Sequence, residues 1–225
     1  MKTKILSKKF ITHDVIRLVL EKPKGFSFLP GHTTDLSFTT GPLKGKKHPF
    51  TLTSSNDDSV LEFIIKIYPK HKDFTDRLSN AKAGTELKIS EPFGTIDYQG
   101  KGVFLAGGAG VTPFIAILRD LQKKNKLKDN KLIFSNKEQR DIILEKEFKE
   151  IFKDNPKDLI LILTREKKKG YEQGRIDETL LKKYINKFEG QQFYICGPPI
   201  FTFEMRKILK KLGATVDSLV FEGKK

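Results

Sequence analysis

Apolar and polar positions follow two different periods along this chain, and the change falls near residue 100. Before it, short runs of strand composition succeed one another at 15–20, 34–38, 50–53 and 61–67. Turn residues separate them, at Lys22-Pro23-Lys24-Gly25, Pro30-Gly31, Gly41-Pro42, Asn56-Asp57-Asp58 and Ala83-Gly84. Many short strands at close spacing predict a small antiparallel barrel, with one helix near 74–78. Past Tyr98-Gln99-Gly100-Lys101-Gly102 the pattern switches. Strands at 103–106, 131–135, 159–164, 192–196 and 218–221 alternate with helical faces. Leu144, Phe148, Ile151 and Phe152 form one face; Phe201, Met205, Ile208, Leu209 and Leu212 form another. Asp177 caps a third helix carrying Leu180, Leu181, Tyr184 and Ile185. Such alternation means a parallel sheet covered by helices. The expected fold is an N-terminal antiparallel β-barrel, residues 1–99, followed by an α/β Rossmann-like parallel-sheet domain, residues 100–225.

Ligands of such sheets bind at the carboxyl ends of the strands. Two tight turns fall there. The first is Gly107-Gly108-Ala109-Gly110, followed by Thr112-Pro113 and an apolar helix. Without Cβ atoms the backbone admits a ligand closely, and the helix start beyond it suits a phosphate. The spacing is G-G-x-G-x-x-P rather than G-x-G-x-x-G, so phosphate binding and plain packing both remain open. The second turn is Cys196-Gly197-Pro198-Pro199.

Composition narrows the function classes. The 225 residues, 37% of them hydrophobic with 18 Phe, suffice for one large or two small domains. A single Cys excludes a disulfide framework or a cluster held by four Cys of this chain, and fits a reducing compartment. The first ten residues lack an apolar signal core, and the longest uncharged run, 102–118, is too short to span a bilayer. A cytoplasmic protein without a membrane span is expected. The net charge of +15 is diffuse, apart from Lys167-Lys168-Lys169. No groove-reading motif accompanies it, so nucleic acid is not the expected partner. Attraction to an acidic protein or an anionic cofactor, or a solvated lysine surface, accounts for it. There is no G-x-S-x-G, no H-E-x-x-H and no metal-ligand spacing among the four His.

A barrel followed by an α/β unit with AGGAGVTP and YICGPP resembles the ferredoxin–NADP reductase superfamily of flavoenzymes, over nearly the whole chain. The resemblance implies FAD, with FMN the alternative, in the barrel and NADPH or NADH in the second domain. His48-Pro49-Phe50-Thr51 stands where the family has Arg-x-Tyr/Phe-Ser/Thr. This places Phe50 against the isoalloxazine ring and Thr51 on its reactive nitrogen. The departure is His48, where the family's Arg pairs with the flavin pyrophosphate. A protonated His48, or Lys46 and Lys47 beside it, would have to supply that charge. Lys66 and Ile67 at a strand end, and Phe74 and Thr75 of the flavin-phosphate segment, are further implied contacts. Asp73 in that segment also reads as a simple helix cap. Pro30-Gly31-His32 and Glu91-Pro92-Phe93-Gly94 match turns of structural role.

In the second domain the resemblance assigns Gly107, Gly108, Gly110, Thr112 and Pro113 to the nucleotide. It brings Cys196, Gly197 and Pro198 to the nicotinamide. Thr51, Cys196 and Glu222 form the implied catalytic set. Arg165 and Arg175 fall near the adenosine end and favour a 2′-phosphate, hence NADPH; a surface pair Arg165–Glu166 and a turn-supporting Arg175 are the plainer alternatives. The implied activity is an NAD(P)H-dependent flavoprotein reductase passing electrons through FAD to a separate acceptor: flavodoxin, ferredoxin, another redox protein or free flavin. A non-catalytic electron-transfer or docking subunit is the alternative.

Overall fold

The computed structural model describes residues 1–68, 73–94, 96–215 and 219–221. Two sheets follow one another along the chain, as the change of period requires. The first contains β1 (Lys2–Phe10), β2 (Val15–Glu21), β3 (His32–Phe38), β4 (His48–Thr51), β5 (Val60–Lys66), β6 (Glu86–Ile89) and β7 (Phe93–Gly94). They run antiparallel in the order β4-β3-β6-β1-β2-β5, with β7 added to β3. The chain just beyond β4 turns the sheet back on itself: Leu52 bridges to Phe63, and the Thr53 amide donates to the Glu62 carbonyl at 2.8 Å. Ile16, Leu18, Leu20, Leu36 and Phe63 fill the interior, and α1 (Phe74–Asn80) adds Phe74 and Leu78 to it.

The second sheet is parallel, in the order β11 (Glu172–Gln173), β10 (Leu159–Leu163), β9 (Lys131–Asn136), β8 (Gly102–Gly107), β12 (Gln192–Cys196), β13 (Leu219–Phe221). Strand β8 is buried along its whole length, as a central strand covered on both faces must be. On one face Phe104 and Phe134 meet Phe114 of α2 (Thr112–Lys123) and Phe148 of α3 (Glu145–Ile151). On the other, Ile133 and Phe193 meet Leu181 of α4 (Glu178–Tyr184) and Leu209 of α5 (Pro199–Lys211).

Two strands stand outside the expected set, β1 (Lys2–Phe10) and β6 (Glu86–Ile89), which adjoin in the first sheet; β1 buries only Thr3 and Ile5 among its lysines, so its alternation is weak. The other differences are smaller. Leu144 packs beside Phe148 but stands outside the helix, in a left-handed conformation (φ 54°) just before α3. Its apolar spacing matched the helix although its backbone does not. The two-residue strands β7 and β11 are too short to leave a periodic signal.

The junction between the sheets is fixed by Tyr194. Its ring stacks on Phe104 at 4.4 Å and Tyr98 at 5.8 Å. Its hydroxyl donates to the Gly100 carbonyl (2.6 Å) and accepts from the Gln99 and Gly100 amides (2.9 and 3.0 Å). Burial pushes this hydroxyl up to about 12, so it stays a donor across any working pH. Tyr194→Phe strands two amides and a carbonyl. We expect a loss of about 1–3 kcal/mol, read from denaturant unfolding, with cofactor binding unchanged.

A second junction is ionic. Arg119 of α2 binds Glu147 of α3 through Nε and Nη2 (2.5 and 3.1 Å). Its Nη1 donates to Glu62 of β5 and to the Thr53 carbonyl, both at 2.7 Å. Arg17 Nε lies 3.1 Å from Glu62 Oε2, an ion pair whose angle does not make a hydrogen bond. Burial alone would raise the Glu62 carboxyl. The charge and hydrogen bond of Arg119, the Thr53 hydroxyl and Arg17 outweigh it and hold the group below its ordinary value.

Candidate functional site

The parallel sheet builds one half of the site at its carboxyl edge. Strand β8 ends in Gly107, and the chain makes a tight 3-10 turn over Gly108–Val111 before α2. In register beside it, β12 ends at Cys196, paired to Ala106, and α5 starts three residues on. The two turns touch. A Cβ on Gly110 would lie 2.4 Å from the Cys196 carbonyl oxygen, so only glycine permits this approach. The Phe201 ring packs against Gly107 and Gly197 and fixes the second turn from behind. Gly108 is different: its φ is +54° and a Cβ there would meet nothing within 4 Å. The backbone is bare and open at this point. Helices α1 and α4 begin at capping aspartates, Asp73 and Asp177. Helices α2 and α5 begin without a side-chain cap; the Thr112 amide donates to the Ala109 carbonyl, and Pro113, Pro198 and Pro199 have no N–H to satisfy.

The barrel builds the other half on β4. His48 and Phe50 point to one side and both stack on Phe74, at 4.5 and 5.6 Å between ring centres. Thr51 points to the other side, its Oγ1 3.5 Å from Thr33 Oγ1. Pro49 is exposed; His48, Phe50 and Thr51 are half-buried. The strand end is tied to the other half, because the Thr53 carbonyl that Arg119 holds lies two residues past Thr51. Thr112, at the head of the Arg119 helix, donates to the Ala109 carbonyl (3.0 Å), and Pro113 follows it in the first turn.

Other expected contacts have partners of their own. The Asp73 carboxylate accepts from the Thr75 and Asp76 amides (3.0 and 3.4 Å) and from the Thr75 hydroxyl (2.8 Å). Lys66 donates to Asp14 at 2.7 Å, and Ile67 is buried. Arg165 and Arg175 are exposed on the loops after β10 and β11, and neither forms an ion pair among the described residues. Glu166 instead accepts from the Gln139 amide at 2.7 Å, so the surface pair with Arg165 is not formed. Glu222 lies outside the described residues.

Two residues that the sequence does not single out belong beside this site. Arg119 carries a signal, a lone cation inside the apolar face of a helix; Arg77 carries none. Asn136, which with Lys137 falls at the expected adenosine end, belongs here too. Asn136, at the carboxyl end of β9, is 5% exposed, and neither polar atom of its carboxamide has a partner. No helix of the described residues is long and apolar enough to cross a membrane.

A closed antiparallel barrel is joined to a parallel sheet with two touching glycine turns at its carboxyl edge. Comparison with known families agrees. The FAD-binding domain model matches residues 1–142 and the oxidoreductase NAD-binding domain model matches residues 104–207. The chain therefore belongs to the FAD-binding domain family, among the ferredoxin–NADP reductase-like FAD/NAD-binding oxidoreductases. It is 26% identical over 214 residues to the ferredoxin–NAD(P)(+) reductase component of a naphthalene 1,2-dioxygenase system from Pseudomonas putida, covering 92% of this chain and 64% of that one. It is 28% identical over 207 residues to NADH-cytochrome b5 reductase 2 from Mycosarcoma maydis, covering 83% and 58%. The chain thus spans about three fifths of these relatives' length. In fold it matches the flavohem-like FAD/NAD-binding domain of a nitric oxide dioxygenase from Vibrio cholerae, with a TM-score of 0.87, 21% identity and coverage of 98% and 97%.

The residues present fit both cofactors. The bare turn at Gly108 suits a nicotinamide dinucleotide. The half-buried Phe50 of β4, and the Thr51 hydroxyl on the strand's other side, are the groups there that would meet a flavin.

Proposed function

We propose that this chain is an NAD(P)H-dependent flavoprotein reductase that delivers electrons to a separate carrier. The carrying observation is the Arg119 clamp, which ties the chain just past Thr51 to the helix that begins at Thr112. One cation thereby fixes the two cofactor-facing segments relative to each other. When bound, the nicotinamide and the flavin supply the hydride and electron chemistry.

The protein's part is alignment. The bare turn at Gly108 receives the pyrophosphate. Phe50 covers one flat face, and the Thr51 hydroxyl both donates and accepts as the ring it faces changes state. Cys196, at the buried end of β12, and Gly197 shape the turn that the nicotinamide would approach, and Glu222 belongs to the same catalytic set. Arg165 and Arg175, exposed and without carboxylate partners among the described residues, favour a 2′-phosphate and so NADPH. Residues 1–99 serve the flavin and 100–225 the nucleotide. The acceptor is a small carrier of the ferredoxin, flavodoxin or cytochrome b5 kind, or free flavin; the basic surface suits an acidic one.

The test is the visible spectrum of the purified protein under anaerobic conditions, before and after NADPH and then NADH. Oxidised-flavin bands that bleach faster with NADPH are expected. A protein that shows no such bands and binds neither FAD nor FMN overturns the reading.

A further inference from the structure

We propose that Arg77 is the cation that holds a phosphate of the flavin nucleotide. This rests on the flavin reading above and adds to it a residue outside the family motif. Arg77 sits one turn into α1, with its guanidinium carbon 4.0 Å from the centre of the Phe38 ring. The Gly41 backbone lies against the same group; a Cβ there would come within 2.6 Å of Nη2 and 2.9 Å of Nη1. The planar group is thus held between a ring and a bare stretch of loop. Its Nη1 is buried and has no hydrogen-bond acceptor, and no carboxylate pairs with Arg77 among the described residues. A charged donor cut off from water without an acceptor is costly, and native proteins rarely keep one without a use.

Position ties this donor to the flavin strand. Phe38 packs on Phe74 at 4.9 Å, and Phe74 stacks on His48 and Phe50 of β4. Arg77, Phe38, Phe74 and His48 therefore form one continuous cluster. Among the described residues, the other groups expected to meet a phosphate are less well placed. Asp73 already occupies the start of α1 and takes the Thr75 hydroxyl. Lys66 is committed to Asp14. The His48 ring stacks on Phe74 through its face, and its edge cannot offer a guanidinium's paired donors. Lys46 and Lys47 are exposed on a loop, where each would lose side-chain freedom to hold an anion. A pre-oriented guanidinium binds phosphate through two parallel hydrogen bonds and loses little on doing so.

The experiment strips flavin from the full chain and titrates it back, following flavin fluorescence, with FAD, FMN and riboflavin. Arg77→Gln should weaken FAD about 10- to 100-fold, the scale of a charge-assisted hydrogen bond, and leave riboflavin unchanged. Arg77→Lys should recover part of the loss. Parallel weakening of FMN puts the contact at the ribityl phosphate; weakening of FAD alone puts it at the adenylate phosphate; either supports the proposal. Unchanged FAD affinity overturns it, as does loss only in a Lys46→Gln/Lys47→Gln double variant. Equal loss of riboflavin also overturns it, because Arg77 would then act through packing. A wild-type chain that binds none of the three flavins overturns the flavin reading itself, and this proposal with it.

Discussion

Arg119→Met is expected to lower the thermal midpoint by about 6–12 °C. Removing one partner from a largely buried ion pair costs about 3 kcal/mol, and a chain of this size moves about 2–4 °C per kcal/mol. The loss is large because the guanidinium serves three acceptors, Glu147, Glu62 and the Thr53 carbonyl. Without it, the Glu62 and Glu147 carboxylates keep Arg17 as their cationic partner, and Glu62 the Thr53 hydroxyl as well. Glu62 adds a pH dependence with a definite sign. Its folded value is depressed, so its stabilisation is complete above the unfolded value of about 4.3 and is lost as pH falls through the folded value. Glu62→Gln should therefore start less stable at neutral pH and lose less on acidification. Turnover should also fall in Arg119→Met, on the order of tenfold, because the tie across the cofactor junction slackens. An unchanged midpoint in that variant shows that the surrounding apolar contacts, not this cation, hold the junction.

Gly110→Ala is expected to abolish nucleotide use while sparing the flavin. The new Cβ would meet the Cys196 oxygen at 2.4 Å, the Cys196 carbonyl carbon at 2.5 Å and the Gly197 nitrogen at 2.5 Å. All three are backbone atoms at a strand end, and none yields as a flexible side chain does. The two turns must part, at a cost of about 1–3 kcal/mol or more. The apparent KM for NADPH should rise on the order of 100-fold, while flavin content and barrel stability stay near wild type. Gly190→Ala, at a turn outside the site, is the control. It meets no atom, so it should cost only the left-handed backbone strain of about 1–2 kcal/mol. Equal effects on KM from both substitutions show that general destabilisation, not separation of the turns, is responsible.

The architecture was legible because its signals are local and periodic. Alternation in β2 and β5, the buried run of β8 and the cap at Asp177 follow from neighbours in sequence. The glycine turns were legible as turns, but their contact was not, since Gly110 and Cys196 are brought together only by the pairing of β8 with β12. The ionic junction was hidden for the same reason: Arg119 and Glu62 lie 57 positions apart. The hints were there as oddities, Glu62 amid Leu61 and Phe63, and Arg119 after Ile117-Leu118. In the segment Asp73-Phe74-Thr75, a phosphate contact and a helix cap are both open from sequence, and Asp73 makes the cap; Lys72 before it lies outside the described residues. Arg77 went unnoticed because a cation on a short helix is ordinary until its surroundings are known.

One apolar cluster joins Val15, Ile64 and Ile96 to Val111, Phe114, Phe134 and Cys196. Its consequence concerns how such a protein can be taken apart. A cut between residues 99 and 100 follows the change of sheet, but it splits this cluster and bares Val15, Ile64 and Ile96. Residues 1–99 expressed alone would carry a sticky face and a Thr53 carbonyl without its cation. The FAD-binding match running to residue 142 includes β9 and the helix that bears Arg119. Chimeras with a foreign nucleotide half should be spliced beyond that point, so that the inherited unit keeps its own lining.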